Sequence, residues 1–303
     1  MNAYEIGLVI QSCISVITVA AVFAMTGLAG MFSLGQAAYM SVGAYGTFLM
    51  ASYFDLPVIP ACVLGILISS AVAYIVARPT LKLRRDYFAL LTVGLSQAVV
   101  ALIITFKQYT NGSLGFTKIP KVNNLIYITL AITILVVFCI RNLKYSRFGR
   151  MCIALKNDEL AAKSFGIDVY NLKIKVYVVA SALAAVAGIL YALKNRLIEP
   201  NAFAWAQSAE MQIFLFFGGT NSLTGAVISA FSLKLLPELL RGVKLFGQSM
   251  QEYRTMIYCV LIIVVLNFRT QGLFGEKELS LSFIKPWIER VKNAAKVRRM
   301  DKQ

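Results

Sequence analysis

The sequence predicts an all-α, polytopic helical membrane protein of about nine transmembrane spans, with eight and ten as bounds and with helices broken at glycines. Three observations carry this. The 303 residues are 58% hydrophobic and 15% charged, whereas a soluble domain carries about 25% charged residues. The mean hydropathy is +0.71. Uncharged runs recur at a length of roughly 20 residues, the number a helix needs to cross about 30 Å of hydrocarbon.

Six such runs contain no Asp, Glu, Lys or Arg: 6–25, 36–53, 56–77, 87–106, 122–140 and 176–193. They are continuously apolar, so the roughly 10-residue apolar-polar alternation of a membrane β-barrel is excluded. The last third is less regular. Residues 211–233 are uncharged but interrupted at Gly218, Gly219, Thr220, Asn221 and Ser222, and the run 255–268 has only 14 residues. Met1 to Glu5 lack the basic start of a secretory signal, so the first run is expected to stay as a span.

The net charge is +16, and its placement explains it without a nucleic-acid partner. Arg78, Lys82, Arg84 and Arg85 form one cluster, eight Lys and Arg fall between Arg141 and Lys175, and nine follow Phe268. A basic bias in short inter-span segments marks the cytoplasmic face. Three spans precede Arg78, which puts the N-terminus outside and the C-terminus in the cytoplasm. The five cysteines, Cys13, Cys62, Cys139, Cys152 and Cys259, form no CxxC pair and read as free thiols.

Absences narrow the function. The chain has no histidine, so histidine-based metal and Ser-His-Asp chemistry have no residues to use, and no catalytic or metal site is expected. No GxxxxGK[ST] phosphate loop is present, so any ATP must be hydrolysed by another chain. The six clear runs hold no charge of the kind that marks ion-coupled carriers. Their polarity lies in amides such as Gln11, Gln36 and Gln97, with Glu210 at a span edge and Lys234 and Glu238 in a less regular helix.

The segment 141–175 contains a short helix. Asn157 or Asp158 suits its N-cap, Asp158 and Glu159 suit the positive end of its dipole, and Gly166 suits the left-handed residue that ends it. A two-turn helix needs packing to persist. It therefore either docks on a partner or lies on its own bundle.

Two glycine segments share the spelling Gly-x-x-Ser-Leu: 27–36, with Gly30, Ser33 and Gln36, and 218–225, with Gly218, Gly219 and Ser222. Non-helical backbone at membrane depth is tolerated only inside protein or against a wet cavity, which a solute pathway supplies. Close packing of helices through small residues, as expected for Gly43-x-x-Gly46, is the alternative. Outside, the polar loop 108–120 suits a connector or a landing surface. The basic tail 276–303 sets Ile284, Trp287, Ile288 and Val291 against Lys285, Arg290 and Lys292, the pattern of an interfacial helix on membrane lipid.

Longer strings carry a resemblance. Residues 27–38, 81–90, 145–150, 157–166, 217–225, 236–241 and 267–275, in that order and spacing, resemble the permeases of bacterial branched-chain amino acid ABC importers, LivM type. The resemblance implies a membrane domain over 1–275 in a bacterial inner membrane, with 141–175 as its cytoplasmic coupling loop. It implies a pathway for leucine, isoleucine or valine formed with a second permease subunit of the same family. Two cytoplasmic ABC ATPase subunits would drive it and an extracytoplasmic solute-binding protein would feed it. Asn157, Asp158, Glu159, Ala162, Phe165 and Gly166 then correspond to the ATPase-coupling helix. This sequence departs by placing Asn221 where the family commonly has glycine. Related permeases serve urea, short amides and nucleosides, and a self-sufficient ion-coupled carrier is the rival class.

Overall fold

The computed structural model describes residues 3–122 and 124–239, with isolated positions from 244 to 275. The described residues are almost entirely helical: α1 (Ala3–Val22), α2 (Gln36–Tyr53), α3 (Val58–Thr80), α4 (Arg85–Thr105), α5 (Lys107–Thr110), α6 (Leu125–Tyr145), α7 (Arg147–Asn157), α8 (Glu159–Ser164), α9 (Val169–Asn195), α10 (Trp205–Gly218) and α11 (Leu223–Leu239). A two-residue antiparallel pairing joins Lys244–Leu245 to Gln248–Ser249. Each of the six uncharged runs forms the greater part of one long helix. The tail 276–303 and most of 255–268 lie outside the described residues.

Among the described residues five helical stretches are long and apolar enough to cross a membrane: Tyr4–Leu28, Val58–Thr80, Asp86–Thr105, Leu125–Tyr145 and Val169–Asn195. The remaining uncharged run, 36–53 in α2, is rich in Ala, Gly, Ser and Tyr because it sits at the centre, against α3 and α9. There Gly43 lies so close to α9 that a Cβ would come within 2.6 Å of that of Ala185, and a Cβ on Gly188 would strike the Met40 carbonyl. Gly46 faces Gly65 of α3 more loosely, at 3.7 Å. Small residues thus bring the backbones together, as expected where lipid supplies no hydrophobic drive between helices. Tyr39 of α2 and Tyr177 of α9 share a buried 2.8 Å hydrogen bond between their hydroxyls.

By contrast α3, α4 and α6 turn large apolar side chains outward, among them Ile59, Leu67, Ile75, Leu90, Leu102, Ile134 and Phe138. That is the surface hydrocarbon would cover. The ends of the bundle are also distinct. At one, Tyr170 at the start of α9 donates to the Arg78 carbonyl at the end of α3 (2.8 Å). At the other, Phe116 and Ile198 exchange backbone hydrogen bonds of 3.1 and 3.0 Å. The first end carries Arg78, Lys82, Arg84, Lys144, Arg147, Arg150 and Lys156.

The interval 141–175 differs from its expected form. Helix α6 runs on to Tyr145, α9 begins at Val169, and α7 fills much of the space between. Ser146 caps α7 by accepting from Gly149 N at 3.2 Å. The short helix is therefore the second of two, separated by a break at Asp158.

Candidate coupling and pathway site

Both glycine segments are breaks in helical structure. After Val22 the first helix widens into a π-turn over Phe23–Leu28, a feature frequent at functional sites. It stops before Gly30, whose φ of +68° is left-handed, and helix resumes at Gln36. The second break follows α10, where Gly219 has φ +113°, and ends at Ser222, whose Oγ accepts from Gly225 N at 3.1 Å.

Buried non-helical backbone must find partners for its polar groups, and side chains from elsewhere supply them. Gln212 of α10 donates to the Ser33 carbonyl (2.8 Å) and to Thr26 Oγ1 (3.0 Å). Thr92 of α4 accepts from Leu34 N at 3.0 Å, and Ser96 donates to the Leu34 carbonyl at 3.0 Å. Ser208 accepts from Ala37 N at 2.8 Å. Gln36, fully buried, points its amide nitrogen at Met25 Sδ (3.1 Å), and its Oε1, like that of Gln212, has no hydrogen-bond partner among the described residues.

The two breaks meet. A Cβ on Gly27 would lie 2.9 Å from the Thr220 carbonyl, and Phe32 stacks on Phe216 with ring centroids 6.1 Å apart. Lys156, in the last turn of α7, donates to the Gly27 carbonyl (2.8 Å) and to Asn221 Oδ1 (2.5 Å). Lys144 donates to the Asn221 carbonyl at 2.6 Å. Gly30 is closed in by Lys156, with a Cβ there 2.9 Å from Lys156 Cγ. Asn221, at the departure from the family spelling, thus receives two lysines.

Next to Lys156 stands the short helix. Asn157 ends α7, and Asp158 is the N-cap of α8, its Oδ1 accepting from Leu160 N (2.8 Å) and Ala161 N (3.1 Å). Gly166, at φ +78°, lies just past the helix end. Ala162 is buried, and Glu159 pairs with Lys173 of α9 (2.8 Å) and with Lys163 (3.3 Å). Burial pushes the Glu159 carboxyl up, but the hydrogen bond and charge of Lys173, then those of Lys163, outweigh it and hold the group below the usual glutamate value. On the far side Leu160 and Phe165 are 75% and 86% exposed. One cleft is lined by Gly30, Phe32, Leu83, Leu155, Glu159 and Lys173, so the first break and the short helix border the same space.

A family described as branched-chain amino acid transport system / permease component matches residues 5–266. The chain belongs to this family. Among relatives, the high-affinity branched-chain amino acid transport system permease protein LivM of Salmonella typhimurium is 27% identical over 282 residues, covering 82% of this chain and 65% of that protein. The chain thus spans about two thirds of the length of that relative. BraD of Pseudomonas aeruginosa, of the same description, is 24% identical over 281 residues, covering 84% of this chain and 89% of that one. A solved structure of PsaBC from Streptococcus pneumoniae in complex with Fab aligns with TM-score 0.49 and 15% identity over 88% of this chain and 91% of that one.

Within this permease-component family member, the residues singled out from sequence gather in one region at one end of the bundle. Three contributors escaped sequence reasoning. Lys156 counts there only as one more cytoplasmic charge, and Gln212 and Thr26 are not singled out. A lysine two residues ahead of a helix-capping acid, and an amide seven residues before a glycine-broken turn, were the available signals.

Proposed function

We propose that this chain is a transmembrane permease subunit of an ATP-binding-cassette importer, forming half of the pathway for a small solute of the branched-chain amino acid class. The observation that supports it best is the build of α8. This helix is capped by Asp158, seated by Ala162 and tied to α9 through Glu159, yet it presents Leu160 and Phe165 to the outside. A helix so braced and so apolar on its free face fits a groove on a partner. The adjacent Lys156 connects it to both breaks.

In this reading the chain crosses a bacterial inner membrane about nine times: α1, α2, α3, α4, α6, α9, α10, α11 and one span over 255–268. The N-terminus is outside and the C-terminus in the cytoplasm, following the basic end of the bundle. Residues 1–275 form the permease domain and 276–303 a basic tail lying on inner-leaflet lipid. Two cytoplasmic ATPase subunits bind at α8 and hydrolyse the ATP, so this chain holds no cofactor and performs no catalysis. A second permease subunit completes the pathway, and an extracytoplasmic binding protein delivers the solute. The names of the relatives given above, permease proteins of branched-chain amino acid transport systems, support that solute over urea, short amides or nucleosides. Against the ion-coupled carrier stands Glu210, whose carboxylate is already paired with Lys234 at 2.8 Å.

Co-purification tests the assignment. Tagged chain from native membranes should bring down an ATPase and a second permease, and Glu159→Lys should release the ATPase while keeping the permease. Recovery of the chain without any ATPase, or with the same ATPase in Glu159→Lys, contradicts it.

A further inference from the structure

Glu210 and Lys234 pair at 2.8 Å between α10 and α11, with side chains 29% and 24% exposed. The turn joining these helices lies at the basic end of the bundle, where Lys144 and Lys156 hold Asn221. Counting inward, Glu210 is eight residues from Gly218, about 12 Å of helix rise, and Lys234 is eleven from Leu223, about 17 Å. In a hydrocarbon layer of about 30 Å both are close to the midplane. A partly exposed ion pair at that depth is costly against lipid, and such residues face protein or water and mark solute routes. The flanking helices are short and joined by a glycine break, the setting in which transporters hold solutes near the midplane.

A second observation points to the same place. One turn before Glu210 on α10, Gln207 lines a cleft with Gln11, Ser15, Thr18 and Tyr191. Lys194, at the end of α9 away from the basic end, donates to Gln11 Oε1 at 2.5 Å. Gln207 thus sets an amide of that cleft one helical turn from Glu210. Beside the pair, Lys234 also stands 5.9 Å from the centroid of the Phe214 ring, an apolar neighbour.

We propose that Glu210 and Lys234 form a midplane station for a zwitterionic amino acid: the solute's carboxylate replaces Glu210 on Lys234, and its ammonium replaces Lys234 on Glu210. One internal ion pair is exchanged for two, so the charges are never left unpaired in the low-dielectric layer. The station rests on the transport reading above and names the feature of the solute that this chain itself recognises. Neutral solutes such as urea or a nucleoside gain nothing from it.

Two measurements test it. In proteoliposomes holding the whole importer, the neutral pair Glu210→Gln/Lys234→Met should assemble and hydrolyse ATP in response to loaded receptor as the parent does, while leucine uptake per ATP falls tenfold or more. Uptake per ATP at the parental level overturns the station. Failure of the parental importer to move leucine with ATP present would instead fail the transport reading. Independently of any variant, millimolar leucine should raise the melting temperature of the receptor-free parental complex, whereas isovalerate and isoamylamine, each with one of the two charges, should not. Equal shifts with all three, or none with leucine, overturn it as well.

Discussion

Lys156 Nζ lies 2.5 Å from Asn221 Oδ1 and donates at the same time to the Gly27 carbonyl at 2.8 Å, so one ammonium ties both helix breaks to the segment that carries α8. Hydrogen bonds to a charged group are worth about 1.5–3 kcal/mol. Taking the low end for a partly exposed group, Lys156→Met should shift the balance between joined and parted breaks by about tenfold. Solute uptake should change by a similar factor with expression and ATPase binding unaltered, and Lys156→Arg should keep more activity. Parental uptake in Lys156→Met would remove Lys156 from the account.

Phe165 is exposed and contributes little inside the chain, and in the proposed docking it fills a groove on a partner. Phe165→Ala should leave the melting temperature of the isolated chain unchanged and weaken ATPase association by about 1–3 kcal/mol, as for a truncated apolar anchor. Titration of labelled ATPase onto the permease in nanodiscs reads this directly. A drop in melting temperature with unaltered association would mean that Phe165 packs on its own bundle.

Gly188 permits the contact of α2 with α9, and a Cβ there meets the Met40 carbonyl. Gly188→Ala should cost about 1–3 kcal/mol through overpacking and lower the melting temperature by several degrees in detergent. Gly7→Ala is the control, because nothing lies within 4 Å of a Cβ at Gly7. Equal melting temperatures for the two variants would contradict the packing.

Glu159 gives α8 a defined pH response. Its carboxyl is held below the ordinary value of 4.5, so the stabilisation it adds is fully present above that value and is lost as pH falls through the lowered one. Hydrogen exchange of the α8 amides, corrected for intrinsic rates, should therefore show unchanged protection from pH 7 down to about 5 and loss only in stronger acid. Loss already at pH 6 would mean that the pair with Lys173 does not hold the helix.

Much of the fold was legible because lipid imposes a simple rule, that a spanning segment be helical and free of charge. Gln36 to Tyr53 is a helix with the boundaries of its uncharged run. The breaks at Gly30 and Gly219 were legible too, since both residues adopt left-handed backbone that suits glycine. Helix α7 was not, because its mixed composition resembles a solvated loop until Ser146 caps it. Nor were the roles of Gln212 and Lys156, whose partners lie 179 and 129 residues away in sequence. The pairing of Glu210 with Lys234 likewise depends on how α10 folds back against α11.

Reconstituted transport separates the proposed pathway, driven by ATP hydrolysed on other subunits, from a self-sufficient carrier. Proteoliposomes holding this chain, its partner permease and the two ATPase subunits, with leucine-loaded binding protein outside, should accumulate leucine with ATP in the compartment facing the ATPase subunits. They should accumulate none with a non-hydrolysable analogue, and none when this chain is reconstituted alone. Leucine movement by the chain alone, without nucleotide, would contradict the account.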